Sequence, residues 1–147
     1  MEKRKNWRPF FRDVKTTIEV ATPPDFTGGI PDIWSPEHLF LGSLSSCFMT
    51  TYLAIAEKSR LNIARFECNV IGQVELLEGH FEFTTINLFP KIFVAKDEAV
   101  QLGNEVLTKA YRHCIIANSI RSHVVYHNEV LVDRGLVKKP DRCHNGF

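Results

Sequence analysis

The sequence predicts an α+β fold in which an antiparallel sheet packs around one long buried helix. Three observations carry this expectation. Between Glu37 and Arg60 the only strongly polar side chains are His38, Glu57 and Lys58, and a helix that is apolar nearly all round is a buried one. Residues 66–76 and 81–89 alternate apolar and polar on either side of Leu77-Glu78-Gly79-His80, which is the pattern of a β-hairpin. Residues 97–114 place Val100, Leu102, Val106, Leu107, Ala110 and Tyr111 at helical spacing. Helices and hairpins segregated in this way give an α+β class.

Taken in order, residues 16–22 form a β-branched run that reads as a strand. The Pro- and Gly-rich stretch 23–31 follows as a loop. Ser35 is then a suitable N-cap, with Pro36 at the first helical position. Gly42, Ser43, Ser45, Ser46 and Ala54 give the long helix small residues for close packing. After the hairpin and the second helix, residues 122–132 read as a last strand. The polar tail 133–147 contains Pro140 and Gly146 and is expected to be loosely held. No repeat or linker divides the chain, so residues 1–147 are read as one domain. One sheet and one further helix leave part of the apolar helix uncovered, and a second copy of the chain is the economical cover. A homodimer is therefore expected.

Composition narrows the function. The 147 residues are 44% hydrophobic, 24% charged and 11% aromatic, a globular balance. A formal net charge of +1 supports neither a nucleic-acid surface nor a polybasic membrane anchor. No run of about 20 apolar residues stands out, so no membrane span is expected. The charged start Met1-Glu2-Lys3-Arg4-Lys5 has no apolar stretch behind it, and a cytoplasmic location is expected. The four cysteines, at 47, 68, 114 and 143, include no C-x-x-C pair. Neither a zinc site nor a secreted disulfide framework follows, and no cofactor is expected. His123 and His127 share a strand face but lack a third ligand.

Cys47 lies about three turns into the long helix, and Cys114 closes the second. By residue type alone each reads as a core thiol. Arg112 and His113 precede Cys114, and positive charge favours the thiolate. Asn118 and Ser119 add polar groups where a core would want none. Cys68 reads as packing, and Cys143 as an exposed thiol without a role.

The stretch Ser35-Pro36-Glu37-His38-Leu39-Phe40-Leu41-Gly42-Ser43-Leu44-Ser45-Ser46-Cys47-Phe48 resembles the first cysteine motif of the OsmC/Ohr proteins, the osmotically induced and organic-hydroperoxide-resistance peroxidases. Glu37 precedes Cys47 by the ten residues of that motif. Their second motif, A-x-x-x-C-P-x-S-N-A, resembles Ala110-Tyr111-Arg112-His113-Cys114-Ile115-Ile116-Ala117-Asn118-Ser119. Ile115 stands where the motif has Pro, and Ala117 where it has Ser. The resemblance extends over residues 16–132.

It implies an OsmC-like fold in an intertwined homodimer, with active sites at the subunit interface. It implies a thiol peroxidase in which Cys47 attacks an organic hydroperoxide and becomes a sulfenic acid. Cys114 then forms a disulfide with it, which a dithiol reduces. It further implies an N-terminal Arg, held by Glu37, that lowers the Cys47 pKa; the helix dipole fades too early to act at this depth. Gapless extension puts that Arg near Arg4 or Lys5, and a shortened hairpin puts it at Arg8 or Arg12. Arg12 is preferred, because Pro9 sits badly in a strand around Arg8. The apolar neighbours Leu44, Phe48 and Met49 favour organic peroxides over hydrogen peroxide. A non-catalytic small-molecule binding protein, or a redox sensor, on the same fold is the alternative.

Overall fold

Helix α1 (Pro36–Lys58) begins where the sequence places it. In the computed structural model, which describes residues 14–135, the Ser35 hydroxyl accepts from the His38 N–H at 3.1 Å. His38 Nδ1 accepts in return from the Ser35 N–H at 3.2 Å, closing a capping box ahead of Pro36–Lys58. The chain then forms β1 (Ile63–Leu77), β2 (His80–Val94), α2 (Ala99–His113), α3 (Ile115–Ser119), β3 (His123–Tyr126) and β4 (Glu129–Val132). Strands β1 and β2 form the expected hairpin, longer than its alternating pattern indicated. Its two-residue turn puts Glu78 and Gly79 at φ +49° and +85°, the left-handed pair of a type I′ turn.

The sheet is mixed rather than antiparallel. β1 pairs antiparallel with β2, but β3 and β4 both run parallel to β2. The chain leaves β2 and returns through two helices, and a helical crossover brings the next strand back in the same direction. The expected strand 122–132 is accordingly two short segments laid end to end along β2. They divide opposite Pro90. Leu88 accepts from the His127 N–H at 2.8 Å, so alternate residues of β2 present their main-chain groups to β3 and β4. Pro90, two residues on, has no N–H to offer there. The run 16–22 is not a strand either. It makes one bridge, Val20 to Trp34, and a 2.8 Å bond from Ala21 N–H to Trp34 O. Without a second ladder partner among the described residues, β-branched composition alone did not make a strand there.

The core lies between α1 and the inner face of the sheet, closed by α2. Central strand β2 alternates, burying Ile86, Leu88, Pro90, Ile92 and Val94. To the same core cluster α1 contributes one stripe, Leu44, Phe48, Tyr52 and Ala56, at the i, i+4 spacing of a single helix face. The helix expected to be buried all round is thus fully buried along one stripe in a single chain, and Leu53 remains 38% exposed. Its 23 residues, with a mean hydropathy of 1.5 over the most apolar window, are also long and apolar enough by composition to cross a membrane. That corrects the reading that no such stretch exists. Its packing makes it the core helix of this fold.

Phe48 stacks on Tyr111 at 5.4 Å and meets Tyr126 at 5.6 Å. The Tyr52 hydroxyl donates to Gly103 O at 3.2 Å, where a Cβ on residue 103 would stand 2.8 Å from Val130 Cγ1. Phe48→Ala is expected to cost about 3–5 kcal/mol of unfolding free energy. Urea denaturation measures this, and a loss below about 1 kcal/mol would show that Phe48 is not a core anchor. The tail is tied further than its composition indicated, since Asp133 N–H donates to Val94 O at 2.8 Å. Residues 136–147, with Cys143, lie outside the described residues.

Candidate active site

Cys114 sits where α2 breaks into α3, and the break shapes the site. Its N–H still closes α2 on Ala110 O at 3.0 Å, while its own carbonyl already accepts from Asn118 at 3.1 Å. Between these bonds its backbone swings to φ −69°, ψ 106°. The Asn118 amide donates to Arg112 O at 3.0 Å and the Ser119 hydroxyl to Ile115 O at 2.8 Å, fixing the corner. The first main-chain N–H groups of a helix have no partner within it. Here the main-chain N–H groups of Ile116 and Ile115 favour the Cys47 thiolate, and those of Ala117 and Ile116 the Cys114 thiolate.

Cys47 reaches this corner from α1, beside the buried stripe and half-buried itself, whereas Cys114 is 0% exposed. Both are free thiols packed in the same core cluster, and each shifts the other's pKa. Burial works to raise the Cys47 pKa, but the Ile116 N–H, the Cys114 thiol, the Ile115 N–H and the Thr51 hydroxyl together outweigh it. The net direction is below the ordinary thiol value. Cys114 moves the other way, raised by burial and by its position next to Cys47. The pair therefore divides its work: Cys47 loses its proton first, and Cys114 keeps one to donate.

The structure thus brings Cys47 and Cys114 together. Glu37, in the first turn of α1, has a carboxylate oxygen, Oε2, buried without a hydrogen-bond partner among the described residues. Arg4, Arg8 and Arg12 all fall outside those residues. Positive charge at Arg112 and His113 does not make Cys114 the thiolate, since burial and the neighbouring Cys47 raise its pKa. Leu44 and Phe48 face the core instead of lining an approach to Cys47. The apolar surface beside the pair is Ile115, 71% exposed. Thr51 was not foreseen, although its place four residues after Cys47 on the helix was a readable signal.

The remaining candidates have other roles. Cys68, on the inner face of β1, has its thiol pushed up to about 11 by burial, as for a packed core thiol. His127 stacks on Phe89 at 4.5 Å and shares a 2.9 Å hydrogen bond with Asn87, apart from any thiol. Among the described residues no group of three or more His, Cys, Asp or Glu is placed to hold a metal. Two clefts open on the described surface, and neither is lined by Cys47 or Cys114. One, of about 460 Å³, runs along α1 past Thr50, Thr51, Ala54 and Lys58 to His113. The other, of about 450 Å³, opens between Phe40 and Phe83 and the α3–β3 connection.

Residues 29–127, which include both cysteines of the pair, match the OsmC-like protein family. The chain belongs to that family. Its OsmC-like fold is seen in an OsmC-like protein of unknown function from Vibrio cholerae, 25% identical, with TM-score 0.70 and 77% of each chain covered. An organic hydroperoxide resistance protein OsmC from Legionella pneumophila is 19% identical with TM-score 0.66, covering 89% of this chain and 91% of that one. The uncharacterized protein YmaD of Bacillus subtilis is 26% identical over 140 residues, 90% of this chain and 93% of its own length. Within this OsmC-like chain, the bend that seats Cys114 and the helix that carries Cys47 are the two elements on which chemistry can be built.

Proposed function

We propose that this OsmC-family chain is a cysteine-based peroxidase that reduces organic hydroperoxides. The Cys47 thiolate attacks the terminal oxygen of the hydroperoxide; the S–O bond forms as the O–O bond breaks. Sulfur loses two electrons, and the alkoxide leaves as an alcohol after taking a proton. The Cys114 thiol then attacks the Cys47 sulfenic acid, releasing water and leaving a Cys47–Cys114 disulfide. A dithiol reductant returns both thiols by exchange.

One observation carries the reading: two free thiols from separate helices meet in one packed cluster, Cys47 half-buried and Cys114 fully buried, with their pKa values driven apart. Tuned groups of this kind mark reactive centres. Exposure supports the same order, since a peroxide can reach half-buried Cys47 and cannot reach Cys114. Thr51, which favours the Cys47 thiolate, lines the α1 cleft. Ala54, Ile55 and the exposed Ile115 offer apolar surface to an alkyl group. In this reading Arg12 pairs with the buried oxygen of Glu37 and adds its charge beside Cys47, and a second copy of the chain covers the open side of α1.

Stopped-flow consumption of tert-butyl hydroperoxide, with a dithiol present, is expected to outpace that of hydrogen peroxide. The nucleophile is the anion, so the rate should fall as pH drops through the Cys47 pKa, with its midpoint below that of an ordinary thiol. Equal rates for the two peroxides, with a midpoint at the ordinary thiol value, would overturn the proposal.

A further inference from the structure

A capping box is usually completed by Glu or Gln, but the helix that carries Cys47 is capped by an imidazole. The group that imidazole serves is buried. Ser35 is 0% exposed, and its N–H donates to His38 Nδ1 at 3.2 Å, with no other partner among the described residues. The Ser35 hydroxyl lies 3.0 Å from the same nitrogen and accepts from the His38 N–H at 3.1 Å. A backbone N–H can only donate, so Nδ1 carries no hydrogen and the ring proton sits on Nε2. We propose that His38 is a positioning residue for Glu37. As the neutral Nε2–H tautomer it closes the first turn of α1, and when it takes up a proton the cap opens and the turn that carries Glu37 loosens. The purpose of this rests on the peroxidase reading, although the cap can be measured without any peroxide.

The chemistry of the ring decides the direction. An imidazolium has a hydrogen on both nitrogens and no acceptor left. Nδ1 would then present a hydrogen to the Ser35 N–H, and a buried donor that loses its acceptor is costly. Positive charge would also arrive at the helix end where the free N–H groups already carry partial positive charge. Both effects act on one turn. Glu37 stands between the cap and the ring, and its Oε2 is buried without a hydrogen-bond partner among the described residues. Among those residues, the main chain of this turn is what aims its carboxylate.

The other charged groups around the cap are few. Trp34 meets the ring at right angles, 6.3 Å between centroids, and brings no charge. Among the described residues no ion pair involves His38. Asp32 precedes the cap and Glu37 adjoins the ring. The hairpin, packed on α1 through the 5.0 Å stack of Phe40 on Phe83, adds Glu75, His80 and Glu82. His80 is the other imidazole of this group, so a His80→Gln background removes its titration. Arg12, which the peroxidase reading places on Glu37, keeps its charge throughout.

Nitrogen-15 NMR of the full chain in that background reads the His38 ring and the nearby amides together, from about pH 8 to about pH 5. At the upper end Nδ1 is expected to give the shift of a bare acceptor nitrogen and Nε2 that of an N–H. As the ring takes up its proton, the Ser35 and Glu37 amide shifts should move with the same midpoint. Protection of the Ser35 amide against hydrogen exchange, corrected for the intrinsic effect of pH, should fall about fivefold. In His38→Glu, where a carboxylate completes the box, these amides should stay in place over that range. A proton on Nδ1 of the neutral ring, or Ser35 and Glu37 amides that ignore the titration of the ring, would overturn the inference. Peroxide consumption then tests the link to the reaction. Over the same range the His80→Gln protein is expected to lose about fivefold more activity than its His38→Glu counterpart; parallel profiles would overturn the positioning role. Amides that follow the ring in a chain that consumes no peroxide at any pH would uphold the cap and its hold on Glu37, and sink the peroxidase reading.

Discussion

Cys47→Ser is expected to lower hydroperoxide consumption by more than about a thousandfold. A hydroxyl in the same surroundings still cannot ionise near neutral pH, and oxygen cannot take the place of sulfur as the two-electron reductant. The fold should survive, because the preceding turn already carries Ser43, Ser45 and Ser46, bonded back to main-chain carbonyls. Peroxide consumption is measured directly, with circular dichroism as the control for folding. Undiminished activity here, with Cys114→Ser inactive, would exchange the roles of the two thiols.

Cys114→Ser is expected to complete one turnover and then stop. Without its partner the Cys47 sulfenic acid has no buried thiol to condense with, and further peroxide takes it to sulfinic and sulfonic acid, which thiols do not reverse. Mass spectrometry of the peptide containing Cys47 should show successive gains of oxygen as peroxide is added. Sustained turnover with an ordinary dithiol would show that external thiols resolve the sulfenic acid unaided, and Cys114 would be left as a core thiol.

Much of this was legible in the residues. The Ser35–Pro36 start of α1, the hairpin and the second helix follow from local rules: a cap, an alternating period and an amphipathic period. Cys47 and Cys114 were singled out through their motifs. Less was readable where the outcome depended on distant partners. The direction of β3 and β4 against β2 is decided by the crossover through α2 and α3, which periodicity does not encode. The strand expected at 16–22 failed for want of a ladder partner among the described residues, and the division of the last strand depends on Pro90 lying across from it. The donors to Cys47 were the least legible. A main-chain N–H has no letter in the sequence, and only the bend at Cys114 lets those of Ile115 and Ile116 lower the Cys47 pKa.

The most direct measurement treats the fully reduced protein with one equivalent of tert-butyl hydroperoxide per chain, without reductant, then counts thiols and maps disulfides. The expected result is a loss of two thiols per chain, with Cys47 and Cys114 linked within one chain and Cys68 still free. An intrachain bond needs the two Cα atoms roughly 4.4–6.8 Å apart, and both cysteines pack in the same core cluster. Oxidation confined to other cysteines, or a Cys47 that stays reduced while peroxide persists, would contradict the two-cysteine mechanism.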